Sequence, residues 1–301
     1  AKDWSPDALR ATAPNLGAKM PPIAESWSIV GTLSPYWQHR YGFPAARVVA
    51  WSGDNPCSLV GTGLVREGIV AVSLGTSDTI FGIMPTARPS EDGTGHVFAS
   101  PTGAYMGMTV FKNGSLAREH VRDDYKMDWR AFSAALSKTP AGNNGATMLP
   151  WFDPEITPLV LEPGVRRFEL DAADADANVR AVVEAQMMSL ALHSRWMGVT
   201  ISTIYATGGA SANRDVLQVM SDIFNAEVLQ LETGNSAALG AALRAFHADR
   251  HASGAPLAWD DVIAGFVVPR RESRITPQAA NVDVYRRLID TYAQCEREAL
   301  S

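Results

Sequence analysis

Apolar positions recur along this chain in two rhythms. Residues 69–74 (IVAVSL) form a short β-rich run that stops at Gly75-Thr76-Ser77-Asp78, and residues 79–84 (TIFGIM) are β-rich again. Two such runs around a Gly-containing turn predict a hairpin. Residues 97–99 and 105–110 extend this antiparallel region. Ahead of it, residues 48–51 read as a buried strand ending in a tight polar turn, Ser52-Gly53-Asp54-Asn55-Pro56. Helices are expected near residues 5–11, at 35–41 closed by Gly42, and at 115–125 and 128–138. Residues 139–170 look loop-rich, with Gly142-Asn143-Asn144-Gly145 and several prolines.

The last third changes character. Val179, Val182, Val183, Met187, Leu190, Ser194 and Met197 fall on one helical face. A strand at 201–206 then runs into the turn Thr207-Gly208-Gly209-Ala210-Ser211. A helix at 213–224 follows, with Val216, Leu217, Met220, Ile223 and Phe224 inward, and a strand at 227–231. The next helix, 236–247, turns Leu239, Ala242, Leu243 and Phe246 to one side. Gly240, with Ala237 and Ala241, leaves that helix a smooth face for close packing. The alternation of helix and strand predicts an α/β unit around a mostly parallel sheet.

Composition narrows the function classes. The chain has 301 residues, 46% hydrophobic and 19% charged, enough to bury a core in one large domain or two smaller ones. A net charge of −6 argues against a nucleic-acid binder driven by counterion release. No apolar run approaches the length of a membrane span. Two cysteines, Cys57 and Cys295, read as reduced thiols of a cytoplasmic protein, and the six histidines give no expectation of zinc. The opening residues, Ala1-Lys2-Asp3-Trp4-Ser5-Pro6, have no signal-peptide features.

Three places carry candidate chemistry. The turn after residue 74 aims backbone N–H groups and hydroxyls at one spot, which suits phosphate oxygens, although many hairpin turns contain Gly, Thr and Ser. Gly208-Gly209 lets a ligand approach the backbone, and the helix behind it favours negative charge at its N-terminus. Asn213 in its first turn could hydrogen-bond a nucleotide. By itself, Gly-Gly between strand and helix is also an ordinary tight turn. No Gly-Lys-Ser/Thr occurs, so P-loop chemistry is excluded. The third place is Gly53-Asp54-Asn55, where a carboxylate on a rigid element could take a proton from a hydroxyl attacking phosphorus. Asp-Asn is equally at home in a plain turn. Trp129 and Trp196 read first as core residues.

Taken in order, several segments resemble the FGGY carbohydrate kinases of the actin/hexokinase/Hsp70 ATPase superfamily. They are RYGFP (40–44), SGDNPCSLVG (52–61), VSLGTSDT (72–79), FKNGSLARE (111–119), ATGGASANRDVLQVMSDIF (206–224) and NSAALGAALRAFH (235–247). The resemblance is strongest to the members that act on D-xylulose. It implies an actin/hexokinase-like (ribonuclease H-like) ATPase lobe, α/β with a mixed sheet flanked by helices. Asp54 would be the general base and Asn55 a sugar contact. Gly75 and Thr76 would lie near the β- and γ-phosphates. Gly208, Gly209 and Asn213 match the adenosine motif, and Trp129 would border the nucleotide. ATP and Mg2+ are implied, with the γ-phosphoryl passing to O5 of D-xylulose.

The family's first lobe begins with a hairpin carrying an Asp-x-Gly-Thr-like motif, and no such hairpin is found near residue 1. Residues 1–66 are therefore expected to be the tail of the N-terminal lobe, and 67–301 the C-terminal, nucleotide-binding lobe. Such a chain would be inactive alone. Its first 66 residues would expose apolar surface or pair with another chain, which leaves a homo-oligomer open. The expected partners are a sugar and ATP, with no nucleic acid and no membrane. Competing readings are a kinase for ribulose, glycerol or another polyol, and a non-catalytic nucleotide-binding module.

Overall fold

The structure is a computed structural model that describes residues 3–232 and 234–301. Ala1 and Lys2, the start of the segment without signal-peptide features, and Thr233 lie outside the described residues. The helices are α1 (Pro6–Thr12), α2 (Pro35–Tyr41), α3 (Asp54–Gly61), α4 (Ser115–Asp124), α5 (Trp129–Lys138) and α6 (Ala175–Leu192). They continue with α7 (Arg214–Phe224), α8 (Ser236–Ala252), α9 (Trp259–Ile263) and α10 (Ala279–Leu300). The strands begin with β1 (Ile29–Thr32), β2 (Arg47–Val49), β3 (Ile69–Leu74), β4 (Asp78–Met84), β5 (His96–Ala99) and β6 (Tyr105–Phe111). After them come β7 (Thr147–Leu149), β8 (Arg166–Phe168), β9 (Thr203–Thr207), β10 (Glu227–Gln230) and β11 (Arg270–Ile275).

Seven strands form one mixed sheet in the order β11-β10-β9-β3-β4-β6-β5. β3 and β4 pair antiparallel from Val70 opposite Gly82 to Leu74 opposite Asp78, the expected hairpin. β9 lies parallel to β3, with Ser73 beside Thr207, and β10 lies parallel to β9. β6 is antiparallel to β4, so it runs with β3. The carboxyl ends of β3, β6, β9 and β10 therefore open on one edge. Open α/β sheets bind their ligands at such an edge.

Alternation of side chains gives the sheet two apolar faces. Val70, Val72, Leu74, Ile204, Ala206 and Val228 belong to the large core shared with α4–α7 and α10. Ala71, Ile83 and Met106 face the other way, onto Leu59 of α3 and Leu64. α8 packs outside α3, where Val60, Leu243 and Val262 form a third cluster.

Several expectations need correction. β2 pairs with β1 in a separate two-stranded sheet and is largely exposed, and Trp51 is 90% exposed. Within the apolar run 48–51, Val48 and Trp51 are thus exposed, Val49 is half-buried and Ala50 alone is buried. The residues read as a polar turn begin α3 instead, because Pro56 suits a first helical turn and Gly53 serves as N-cap. α6 stops at Leu192, before Ser194 and Met197, and is buried on every side from Asn178 to Leu190. A continuous core surrounds it rather than one apolar face. In α8 the inward residues are Gly240, Leu243, Arg244, His247 and Ala248, while Phe246 is exposed. Polar side chains with partners replaced the apolar stripe. The loop-rich stretch 139–170 contains a small antiparallel pair, β7 with β8, whose β7 residues are all buried.

Candidate active site

Two turns meet at the open sheet edge. The hairpin turn 75–77 leaves β3, and the turn holding Gly208 and Gly209 leaves β9 beside it. Gly208 has φ +84°, and a Cβ there would lie 2.5 Å from the carbonyl oxygen of Leu74. Only glycine allows that backbone and that contact. Gly75 accepts a bond at its carbonyl from the Ser115 N–H, 2.8 Å away, so the loop that starts α4 closes on the same turn. Thr76 is exposed at the tip.

The turn is fixed from beneath by a buried network. Arg118 of α4 donates to both oxygens of Asp78 (2.8 and 3.1 Å), to the side-chain oxygen of Gln186 (2.7 Å) and to Ser115 Oγ (3.2 Å). Gln186 Nε2 donates to the carbonyls of Asn113 and Gly114. Glu155 accepts from the N–H groups of Lys112 and Asn113. Burial pushes the Asp78 carboxyl up, and the Arg118 charge pulls against it. Sequence reasoning missed this network. A charged helix residue reads as a surface position, and its partners stand 40 and 68 residues away.

Beside the turns lies a cleft of about 600 Å³ between α4, α5 and α7. It is lined by Trp129, Phe132 and Ser133 of α5, by Gly209 and Asn213, and by Glu119 of α4. Trp129 is 45% exposed, so it is no core residue. The Arg122 guanidinium sits 4.5 Å from the centre of its ring, which steadies the indole. Asn213 is the N-cap of α7: its Oδ1 accepts from the N–H groups of Asp215 (3.0 Å) and Val216 (3.3 Å). Its Nδ2 donates to Ser133 Oγ at 2.6 Å. Trp196 is partly buried and donates its indole N–H to Thr109 Oγ1.

The structure brings together most of the candidate residues. Trp129, Gly209 and Asn213 share the cleft, Gly208 borders a neighbouring hollow that shares Gly209 and Ala212 with it, and Gly75 and Thr76 adjoin Gly208 through Leu74. Asp54 and Asn55 stand apart, at the head of α3, which covers the opposite face of the sheet. Asp54 is exposed and its Oδ1 accepts the Asn55 N–H at 2.8 Å.

His247 and His251 stand four apart on α8, a spacing that could pair two ligands on one metal. They stack instead on Trp259 and Trp27 respectively. Among the described residues, no group of three or more His, Cys, Asp and Glu side chains converges on a metal position. No described helix is long and apolar enough to cross a membrane. Cys57 and Cys295 are free.

The pattern of "FGGY family of carbohydrate kinases, C-terminal domain" matches residues 70–248. Xylulose kinase of Rattus norvegicus is 42% identical over 312 aligned positions that cover 100% of this chain and 56% of that protein. Xylulose kinase 2 of Arabidopsis thaliana is 40% identical, over 81% of this chain and 47% of that protein. The crystal structure of ligand-bound xylulose kinase from Lactobacillus acidophilus superimposes with a TM-score of 0.84 at 18% identity, over 99% of this chain and 61% of that one. The chain thus spans about half the length of the curated relatives it matches. By sequence pattern and by fold, the chain belongs to the FGGY family of carbohydrate kinases.

Proposed function

We propose that this chain is the nucleotide-binding half of an ATP-dependent sugar kinase that converts D-xylulose to D-xylulose 5-phosphate. One observation carries the reading: Ser73 and Thr207 are register partners in parallel strands, so two glycine-bearing turns leave the sheet side by side next to the Trp129 cleft. The choice of xylulose rests on the relatives that bear that name. On this reading residues 1–66 are the tail of the first lobe and 67–301 the second lobe. The remaining sugar contacts come from outside this chain, which is inactive by itself. A cytoplasmic setting suits the two free thiols.

In this reading the adenine lies against Trp129, with Gly208, Gly209 and Asn213 beneath the nucleoside. The N-terminal end of α7 favours the negative phosphates. The N–H groups of Gly75 and Thr76, with the Thr76 hydroxyl, take the β- and γ-phosphate oxygens and absorb the charge that spreads during transfer. Asp54 accepts the proton of the sugar O5 hydroxyl as that oxygen attacks the γ-phosphorus in line and ADP departs. Asn55 holds a neighbouring hydroxyl, and its N–H fixes the carboxylate. Mg2+ would enter with the nucleotide and would supply charge neutralisation at its phosphates; among the described residues no group of three or more His, Cys, Asp and Glu side chains is placed to hold it.

The test is Asp54→Ala in the full-length protein. Turnover with xylulose should fall about 10²–10⁴-fold, while ADP affinity stays within about 2-fold, because Asp54 does not line the nucleotide cleft. Near-normal turnover would overturn the role of Asp54. Equal turnover on ribulose or glycerol would overturn the choice of sugar.

A further inference from the structure

The hydrogen bonds around Asn213 have a direction that can be read without seeing hydrogens. Backbone N–H groups can only donate, so the cap on Asp215 and Val216 identifies the acceptor atom of the side chain as Oδ1. The other end is then the amide nitrogen, which has no lone pair to offer. It donates to Ser133 Oγ at 2.6 Å, so Ser133 is the acceptor in that bond. The Ser133 hydroxyl hydrogen is left to point elsewhere. A serine inside a helix usually spends it on the carbonyl four residues back. Ser133 makes no such bond to Trp129, and no other side-chain hydrogen bond of Ser133 occurs among the described residues. Ser133 lines the cleft with Trp129, Phe132 and Ala210, and it makes no hydrogen bond to the Glu119 or Asp215 side chains that share the lining.

The geometry points to Ser133 as the residue that reads the nucleotide base: its hydroxyl, polarised by Asn213, donates to an acceptor ring nitrogen of a purine lying against Trp129. The inference rests on the assignment of this cleft to the nucleotide. It shifts base recognition from Asn213, whose oxygen is committed to the helix cap, to a residue on a different helix. Asn213 becomes a positioning residue that sets the polarity of the relay.

The test measures ADP and its 1-deaza, 3-deaza and 7-deaza analogues by calorimetry in the full-length protein. Each analogue replaces one ring nitrogen with C–H. Wild type should bind one of the three about 3–10-fold more weakly than ADP. Ser133→Ala should bind ADP more weakly by the same factor and show no further loss with that analogue. Ser133→Thr, which keeps the hydroxyl, should retain the wild-type discrimination. Asn213→Asp still caps α7 but accepts from Ser133 and withdraws its hydrogen, so it should lose the discrimination although Ser133 is intact. The proposal falls if Ser133→Ala binds ADP like wild type, or if wild type and Ser133→Ala lose equal affinity on every analogue. If wild type binds neither ADP nor any analogue, the nucleotide assignment itself falls and takes this inference with it.

Discussion

At the scale of single residues, the pair under the hairpin turn matters most. Arg118 and Asp78 are each about 1% exposed and share two hydrogen bonds, so each charge depends on the other. Removing one partner of such a pair typically costs about 3–5 kcal/mol, because the remaining charge stays buried. Arg118→Met should therefore lower the urea midpoint strongly. Arg118→Met combined with Asp78→Leu should recover most of that loss, since apolar replacement of both partners is often nearly neutral. Equal loss in the single and double variants would mean that the turn needs the charges themselves. Gly75, Thr76, Gly208, Gly209 and Asn213 stand out as candidates in the sequence because their motif order is distinctive, and the structure sets them at one edge of the sheet. Arg118, Gln186 and Glu155 were not, since their meaning arises only when distant elements meet. Asn113 fits an acceptor pattern for glycosylation, yet it is buried and bonded to Glu155 and the Asp153 carbonyl.

At the scale of elements, α8 joins the first fifty residues to the sheet. Arg244 donates to the carbonyls of Ser26 and Ala50, Arg47 pairs with Asp249, and Trp27 stacks on His251 at 4.8 Å. His247 is enclosed by Trp27, Trp259 and His251. Burial pushes its pKa down, and the nearby His251 and Arg244 push the same way, against a hydrogen bond with the Leu257 backbone. The folded chain then resists a proton that the unfolded chain takes near pH 6.5, so stability is present above that pH and is lost as pH falls below it. The thermal midpoint should drop between about pH 7.5 and pH 5.5, and drop less in His247→Phe. A drop of equal size in the variant would assign the effect to other groups. The helix itself was legible in its periodicity. Its buried face was not, because Gly240, Arg244 and His247 go inward through close approach and partners rather than through apolarity. α10 shows the opposite case. Val282, Tyr285, Leu288, Ile289, Tyr292 and Ala293 make a regular inward stripe whose helical spacing is present in the sequence itself.

At the scale of the molecule, apolar surface is concentrated in the first fifty-one residues. Val30, Tyr36, Trp37, Tyr41, Phe43, Val48 and Trp51 are all exposed, around a two-stranded sheet that lies outside the main one. Tyr36, Trp37, Tyr41 and Phe43 contact one another in a chain of exposed rings, and exposed apolar groupings are uncommon on a self-sufficient surface. The 301-residue chain should bind a hydrophobic dye or sediment as an oligomer, and a clean monomer without dye binding would show that the patch is tolerated in water. Most strands of the main sheet were legible, since β-rich runs and turn residues mark them. Their order was not, because β3 lies between β4 and β9 through contacts about 130 residues apart, which no local pattern encodes.

The seam between α3 and α8 leaves no slack. A methyl on Gly240 would sit 1.8 Å from the Cys57 carbonyl, and one on Gly61 would sit 1.9 Å from that of Ser236. Two backbones that close behave as a weld. Asp54, at the head of α3, is thereby held at a set position relative to α8 and the sheet that carries the glycine turns, although it comes from the first 66 residues.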